Sequence, residues 1–271
     1  MWLKISVIGF LLKTIIIILV SQNDNYYDGV FKWIVDIDYK VYLDATLYPS
    51  PYDCHTYRYS PLLALLVSPT YKIHQLFGKI VIALFDSIAA IFIYKIFENR
   101  KKENKESNHK AAILASCFYS FNPVLIYVTV RGSCEGITMA LGAAFWYFYF
   151  GGDAHGNMSP VERLEKGVGE RQPSKAKKYV SYALFGLWVH FRIYPIIFVP
   201  LLIMHEYHSA KDNKLRRALS FTVEFGLISG GVFIALAAYF YYLYGYDFLH
   251  ETYFYHLTRR DNRHSKSAYF Y

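Results

Sequence analysis

The sequence predicts an all-α protein, a polytopic bundle of transmembrane helices, and two observations carry that expectation. Of its 271 residues 54% are hydrophobic, and they fall in runs near the roughly 20 residues that cross a bilayer. Between the runs stand short clusters of Lys and Arg, the pattern by which cytosolic loops orient a membrane chain. The net charge of +8 belongs to those clusters and not to one basic face, so the expected partner is a membrane and not nucleic acid. Cys54, Cys117 and Cys134 form no C-x-x-C pair, which leaves no disulfide framework and no metal-type spacing.

The whole chain, 1–271, reads as one transmembrane domain. Residues 3–20 are apolar apart from a few positions such as Lys4 and Lys13; no small-x-small cleavage site follows, so they read as a retained first span. Residues 21–60 form an acidic loop with Asp24, Asp28, Asp36, Asp38, Asp44 and Asp53, held beside the membrane on the far side from the basic clusters. Pro61 to Thr70 is too short to span and is interrupted by Pro69, which predicts a re-entrant or interfacial half-helix.

Within residues 61–150 the next full span is Gly78 to Phe97, with Asp86 inside it as a functional group or as a partner of Lys79. It runs into a basic loop near residues 98–110, expected to be cytosolic. Ala111 to Val130 returns to the far side with a kink at Asn122-Pro123, and the shorter Gly136 to Phe150 leads back to a polar linker, 151–178. Residues 179–271 hold the further spans and a tail. Tyr179 to Met204 is apolar but broken at His190–Pro195, which predicts two spans meeting at the far face, and Phe221 to Tyr244 crosses once more. Four polar islands then share that face: the Asp-rich loop, Arg131–Glu135, His190–Pro195 and Thr258–His264.

Their chemistry leaves alternatives open. In an extended loop Asp36 and Asp38 would point the same way, to hold a divalent cation or to supply a general base; the plainer reading is a helix N-cap followed by a solvated acid. Arg131, Arg192, Arg259, Arg260 and Arg263 stand where orientation disfavours cations, which suits snorkelling to lipid headgroups or, taken together, an anionic partner such as phosphate. His190 and His264 read as bases, ligands or hydrogen-bonded structural groups, and Glu135 reads as an i,i+4 partner of Arg131.

The islands together resemble the catalytic subunit of GPI mannosyltransferase I, the PIG-M family of endoplasmic-reticulum mannosyltransferases with the GT-C architecture. The matching stretches are Asp36-Ile-Asp-Tyr-Lys-Val-Tyr-Leu-Asp44, Ser50-Pro-Tyr52, Thr56-Tyr-Arg-Tyr-Ser-Pro-Leu-Leu63, Arg131-Gly-Ser-Cys-Glu135, His190-Phe-Arg-Ile-Tyr-Pro195 and Thr252 to His264. The resemblance implies a lumenal catalytic loop in the endoplasmic-reticulum membrane. It implies transfer of the first α1,4-linked mannose from dolichyl-phosphate mannose to glucosaminyl-phosphatidylinositol, by inversion in a single displacement. Asp36 and Asp38 map onto the family's functional D-x-D motif and are the expected catalytic pair, and the metal ligands if a divalent cation takes part. The expected substrate-binding residues are Arg58, Arg131, Glu135, His190, Arg192, Arg259, Arg260, Arg263 and His264. A small, single-span subunit of the PIG-X type is the implied partner.

Members of that family continue with further hydrophobic spans, so a chain ending at Tyr269-Phe-Tyr271 is expected to be C-terminally truncated. Two rival readings stand beside this one. The first is another dolichyl-phosphate-mannose-dependent mannosyltransferase of glycan assembly. The second is a non-catalytic lipid-phosphate transporter, which should carry internal repeats with paired broken helices; the sequence has no convincing repeat.

Overall fold

A computed structural model of the chain describes residues 1–21, 37–99, 105–150, 174–210 and 212–255, with only the backbone described at Ile37, Asp38 and Lys105. All regular structure among these residues is helical. Helix α1 (Trp2–Ser21), α5 (Phe77–Glu98) and the long helix α11 (Lys214–Leu249) are each long and apolar enough to cross a membrane. Between α1 and α5 lie the short helices α2 (Ile37–Ala45), α3 (Pro61–Val67) and α4 (Thr70–Ile73). Within the acidic segment Ile37–Ala45 is thus a helix and not an extended stretch, while Pro61 to Thr70, expected as one half-helix, is divided at Pro69 into α3 and the start of α4.

The next pair, α6 (Lys105–Ser120) and α7 (Pro123–Arg131), is bent by 46°. The cause is local. Asn122 caps α7 by accepting from the Val124 and Leu125 amides, and Pro123 at the first helical position cannot continue α6. Helix α8 (Glu135–Tyr149) follows, then α9 (Lys175–Phe191), a 3₁₀ turn (Tyr194–Phe198) and α10 (Val199–Ser209). The break at His190–Pro195 lies where Pro195 interrupts the apolar run. Its two arms, of 17 and 11 residues, are shorter than the full spans expected of them.

The bundle packs α5 between α1, α6 and α8, and α9 between α8 and α11. Gly186 lets α9 close onto the backbone of Ser229 in α11, because a side chain there would collide with the Ser229 carbonyl. At the centre Lys13 of α1 forms an ion pair with Asp86 of α5, and the Tyr119 hydroxyl of α6 donates to Asp86 at 2.6 Å. Asp86 therefore takes its partners from neighbouring helices, whereas the sequence suggests Lys79 on its own helix. Lys79 lies two turns away and sits over the Tyr39 ring.

Candidate active site

Helix α2 carries Asp38 in its first turn. Tyr39 fixes that helix between the start of α5 and the α7–α8 turn. A Cβ on Gly78 would lie 2.7 Å from the Tyr39 hydroxyl, and one on Gly132 would lie 2.7 Å from its ring. Gly132 also ends α7 in the left-handed region, at φ 90°, where its amide closes onto the Thr129 and Val128 carbonyls. Both the conformation and the space demand glycine there.

From α2 a row of tyrosines leads inward. Tyr42 meets Tyr59 edge-on at 4.8 Å, and Tyr59 meets Tyr57 at 5.8 Å. Tyr57 is wholly buried; its hydroxyl donates to the Ser60 carbonyl at 2.7 Å and accepts from the Ala64 amide at 3.1 Å, which ties the loop to α3. Burial pushes the Tyr42, Tyr52 and Tyr57 phenols well above their ordinary pKa, so these hydroxyls stay neutral donors.

The row ends at two arginines. Arg192, at the C-cap of α9, donates from Nη2 to Glu135 Oε1 and to Cys134 Sγ, both at 3.0 Å, and lies over the Tyr59 ring. Burial opposes its charge, but Cys134 and Glu135 outweigh that and raise its pKa on balance, so the guanidinium is held charged. Its Nε has no hydrogen-bond partner among the described residues. Arg58 forms an ion pair with Glu251 and stacks at 4.3 Å over the Tyr255 ring. Each guanidinium has five N–H donors, so each can keep its carboxylate and still bind a second anion.

Between them lies a cavity of about 220 Å³, lined by Arg58, His190, Arg192, Tyr194, Thr252 and Tyr253 among others. Its far wall is a π-helical turn, His250–Phe254, that follows α11. Thr252 secures that turn by sharing a hydrogen bond with the Tyr52 hydroxyl at 2.8 Å and donating to the Tyr59 carbonyl at 3.3 Å. Three islands far apart in sequence thus supply one pocket.

Of the residues predicted from sequence, Arg58, His190 and Arg192 line this cavity, and Glu135 reaches it through Arg192. Glu135 does not use the i,i+4 geometry with Arg131, because Gly132 ends α7 and Glu135 begins a new helix. Arg131 is not among the residues lining the cavity; it lies over the Tyr127 ring and donates to that hydroxyl at 3.4 Å. The Asp38 side chain, and Asp36, Arg259, Arg260, Arg263 and His264 entirely, lie outside the described residues. Among the described residues no three His, Cys, Asp or Glu side chains group as metal ligands. Sequence reasoning missed Thr252 and Tyr253 as wall residues, and Glu251 as the partner of Arg58. Thr252 opens one of the matching stretches, but an uncharged hydroxyl there carries no signal until the turn is folded against Tyr59.

The chain is similar to proteins named GPI mannosyltransferase 1. That of Dictyostelium discoideum is 32% identical over 99% of this chain and 58% of its own length. That of Saccharomyces cerevisiae is 29% identical over 90% of this chain and 55% of its own length. The Danio rerio protein named GPI alpha-1,4-mannosyltransferase I, catalytic subunit, is 31% identical over 91% of this chain and 57% of its own length. The chain thus spans between 55% and 58% of the length of these three relatives. No solved structure matches it. A family profile described as GPI transamidase subunit PIG-U matches residues 38–271, from the second aspartate of the D-x-D through the cavity and its far wall. With that match running through most of its length, the chain belongs to the PIG-U family.

Proposed function

We propose that this chain forms the catalytic part of a GPI mannosyltransferase, transferring the first α1,4-linked mannose from dolichyl-phosphate mannose to glucosaminyl-phosphatidylinositol at the lumenal face of the endoplasmic-reticulum membrane. The observation that carries this reading is the convergence of Arg58, His190 and Arg192 on one cavity next to the helix that bears Asp38. Both substrates are lipids, and a site between membrane helices lets each keep its tail in the bilayer. Asp36 or Asp38 takes the proton from the acceptor sugar hydroxyl as its oxygen bonds to mannose C1. The C1–O bond to phosphate breaks, and its electron pair leaves with the lipid phosphate. Arg192 and Arg58, with Arg259, Arg260 and Arg263 from the tail, stabilise that charge. The Asp36–Asp38 pair would also be the place for a divalent cation, and a small single-span subunit of the PIG-X type is the partner.

Cells lacking the first GPI mannosyltransferase activity test this. A full-length version of the protein should restore GPI-anchored proteins to their surface, and Asp36→Asn with Asp38→Asn should remove at least about 99% of mannose transfer, of order 3 kcal/mol or more. Transfer that survives both changes sinks the assignment of the base. The description of the matching family favours one other reading, that of a non-catalytic subunit of a transamidase. In that case both aspartate variants would keep full function, and the chain would co-purify with transamidase and not with mannosyl-transfer activity.

A further inference from the structure

Among the described residues His190 is the one imidazole on the cavity wall, and its two ring nitrogens have different surroundings. The residue is fully buried at the end of α9, with its ring stacked on Phe240 at 5.6 Å. Nδ1 is 2.8 Å from the Tyr253 hydroxyl, and the same hydroxyl lies 3.4 Å from the His190 carbonyl. Nε2 has no hydrogen-bond partner among the described residues. A buried ring nitrogen without a partner costs on the order of 1–3 kcal/mol, so it points to an absent ligand.

Tyr253 has one hydroxyl proton. Assigned to the shorter of its two contacts, that proton makes Nδ1 the acceptor and leaves the ring proton on Nε2; donated to the His190 carbonyl, it would leave Nδ1–H the donor. In a doubly protonated ring Nε2 is a donor as well. Among the described residues two guanidinium groups line the same cavity, which favours an anion as the group that accepts this proton.

We propose that His190 Nε2–H is a hydrogen-bond donor to a phosphate oxygen of a lipid headgroup bound in this cavity, and that Tyr253 is the positioning residue that holds the ring in the donating tautomer. This rests on reading the cavity as the lipid-phosphate site of the transferase. Two lipids of the reaction carry that chemistry, a polyprenyl phosphate on the donor side and an inositol phospholipid on the acceptor side.

The test is lipid binding by the full chain in phosphatidylcholine nanodiscs, titrated separately with dolichyl phosphate and with phosphatidylinositol. Wild type should bind one of them saturably; dolichyl phosphate would mark the donor side and phosphatidylinositol the acceptor side. His190→Asn should weaken that lipid by tenfold or more, since its amide reaches only the place of Nδ1. His190→Gln, whose amide nitrogen reaches the place of Nε2, should stay within about threefold of wild type. Tyr253→Phe should weaken the same lipid about fivefold, by freeing the tautomer. If His190→Asn fails to fold, the contrast between His190→Gln and Tyr253→Phe still decides.

Equal affinity of the Asn and Gln variants, an unaffected Tyr253→Phe, or no saturable binding of either lipid by wild type would overturn the proposal. Failure of the parent reading looks different. There, His190-dependent lipid binding persists while a full-length protein restores no mannose transfer.

Discussion

Arg192 shows how one residue joins three parts of the site. It caps α9, pairs with Glu135 at the start of α8, and covers Tyr59 from the loop before α3. Its Nε has no hydrogen-bond partner among the described residues and, on the proposed reading, is a donor for a phosphate oxygen in the cavity. If the proposed function holds, Arg192→Ala in a full-length version of the protein should lower kcat/KM for mannose transfer about 100-fold, of order 3 kcal/mol, measured in membranes with defined lipid donor and acceptor. Arg192→Lys should recover little of this, because an ammonium cannot hold Glu135 and a phosphate with the same planar fork. A lysine variant with wild-type kinetics would reduce Arg192 to a point charge. The arginine was legible in the sequence, since a cation between apolar runs stands out. Its partner was not: Glu135 stands four residues after Arg131, and only the chain reversal at Gly132 turns it toward α9.

At the scale of elements, two glycines with positive φ make different demands. Gly132 combines φ 90° with the Tyr39 ring packed where a Cβ would be. Gly245, within α11, has φ 66° and ψ −151°, a conformation essentially restricted to glycine, and among the described residues nothing lies within 4 Å of where a Cβ would be. Gly245→Ala should cost only its backbone strain, on the order of 1–3 kcal/mol. Gly132→Ala should cost more, because about 1–2 kcal/mol of strain is joined by displacement of Tyr39 and with it α2. Thermal unfolding of purified variants in detergent ranks the two, and a larger loss at Gly245 would contradict the packing assigned to Tyr39. Helix positions were largely readable here, because apolar runs, Asn122-Pro123 and Pro195 mark starts and breaks locally. The helical start at Ile37 was not, since Asp36-Ile-Asp reads equally as an extended pair and as a capped helix.

Across the whole molecule, the buried pair of Lys13 and Asp86 joins α1 to α5, and Tyr119 adds α6 to the same centre. Removing one partner leaves an uncompensated charge among apolar helices, at a cost of about 3–5 kcal/mol, whereas removing both leaves none. Lys13→Met and Asp86→Leu alone should each lower the amount of folded protein in membranes sharply, and the double variant should recover much of it. Double and single variants of equal stability would show that the pair does not couple the helices. In contrast, α11 has only 17% of its most apolar window buried, against 39% for α5. Its outward residues, Leu215, Leu219, Val223 and Leu227 among them, face away from the described bundle.

By itself the sequence determined the class of the protein, the places of its longer apolar helices and the islands that carry charge, because bilayer length and local breakers act over short stretches of chain. The resemblance it carries also grouped Arg58, His190 and Arg192 with six other residues as expected substrate contacts. Only the tertiary structure decided that these three meet at one cavity, that Glu135 serves Arg192, that Asp86 pairs with Lys13, and that Tyr253 stands against His190. The last three depend on contacts between residues 57 to 73 positions apart, and the contact of Thr252 with Tyr52 joins residues 200 apart. Such contacts are set by how whole helices pack, which no local pattern of residues records.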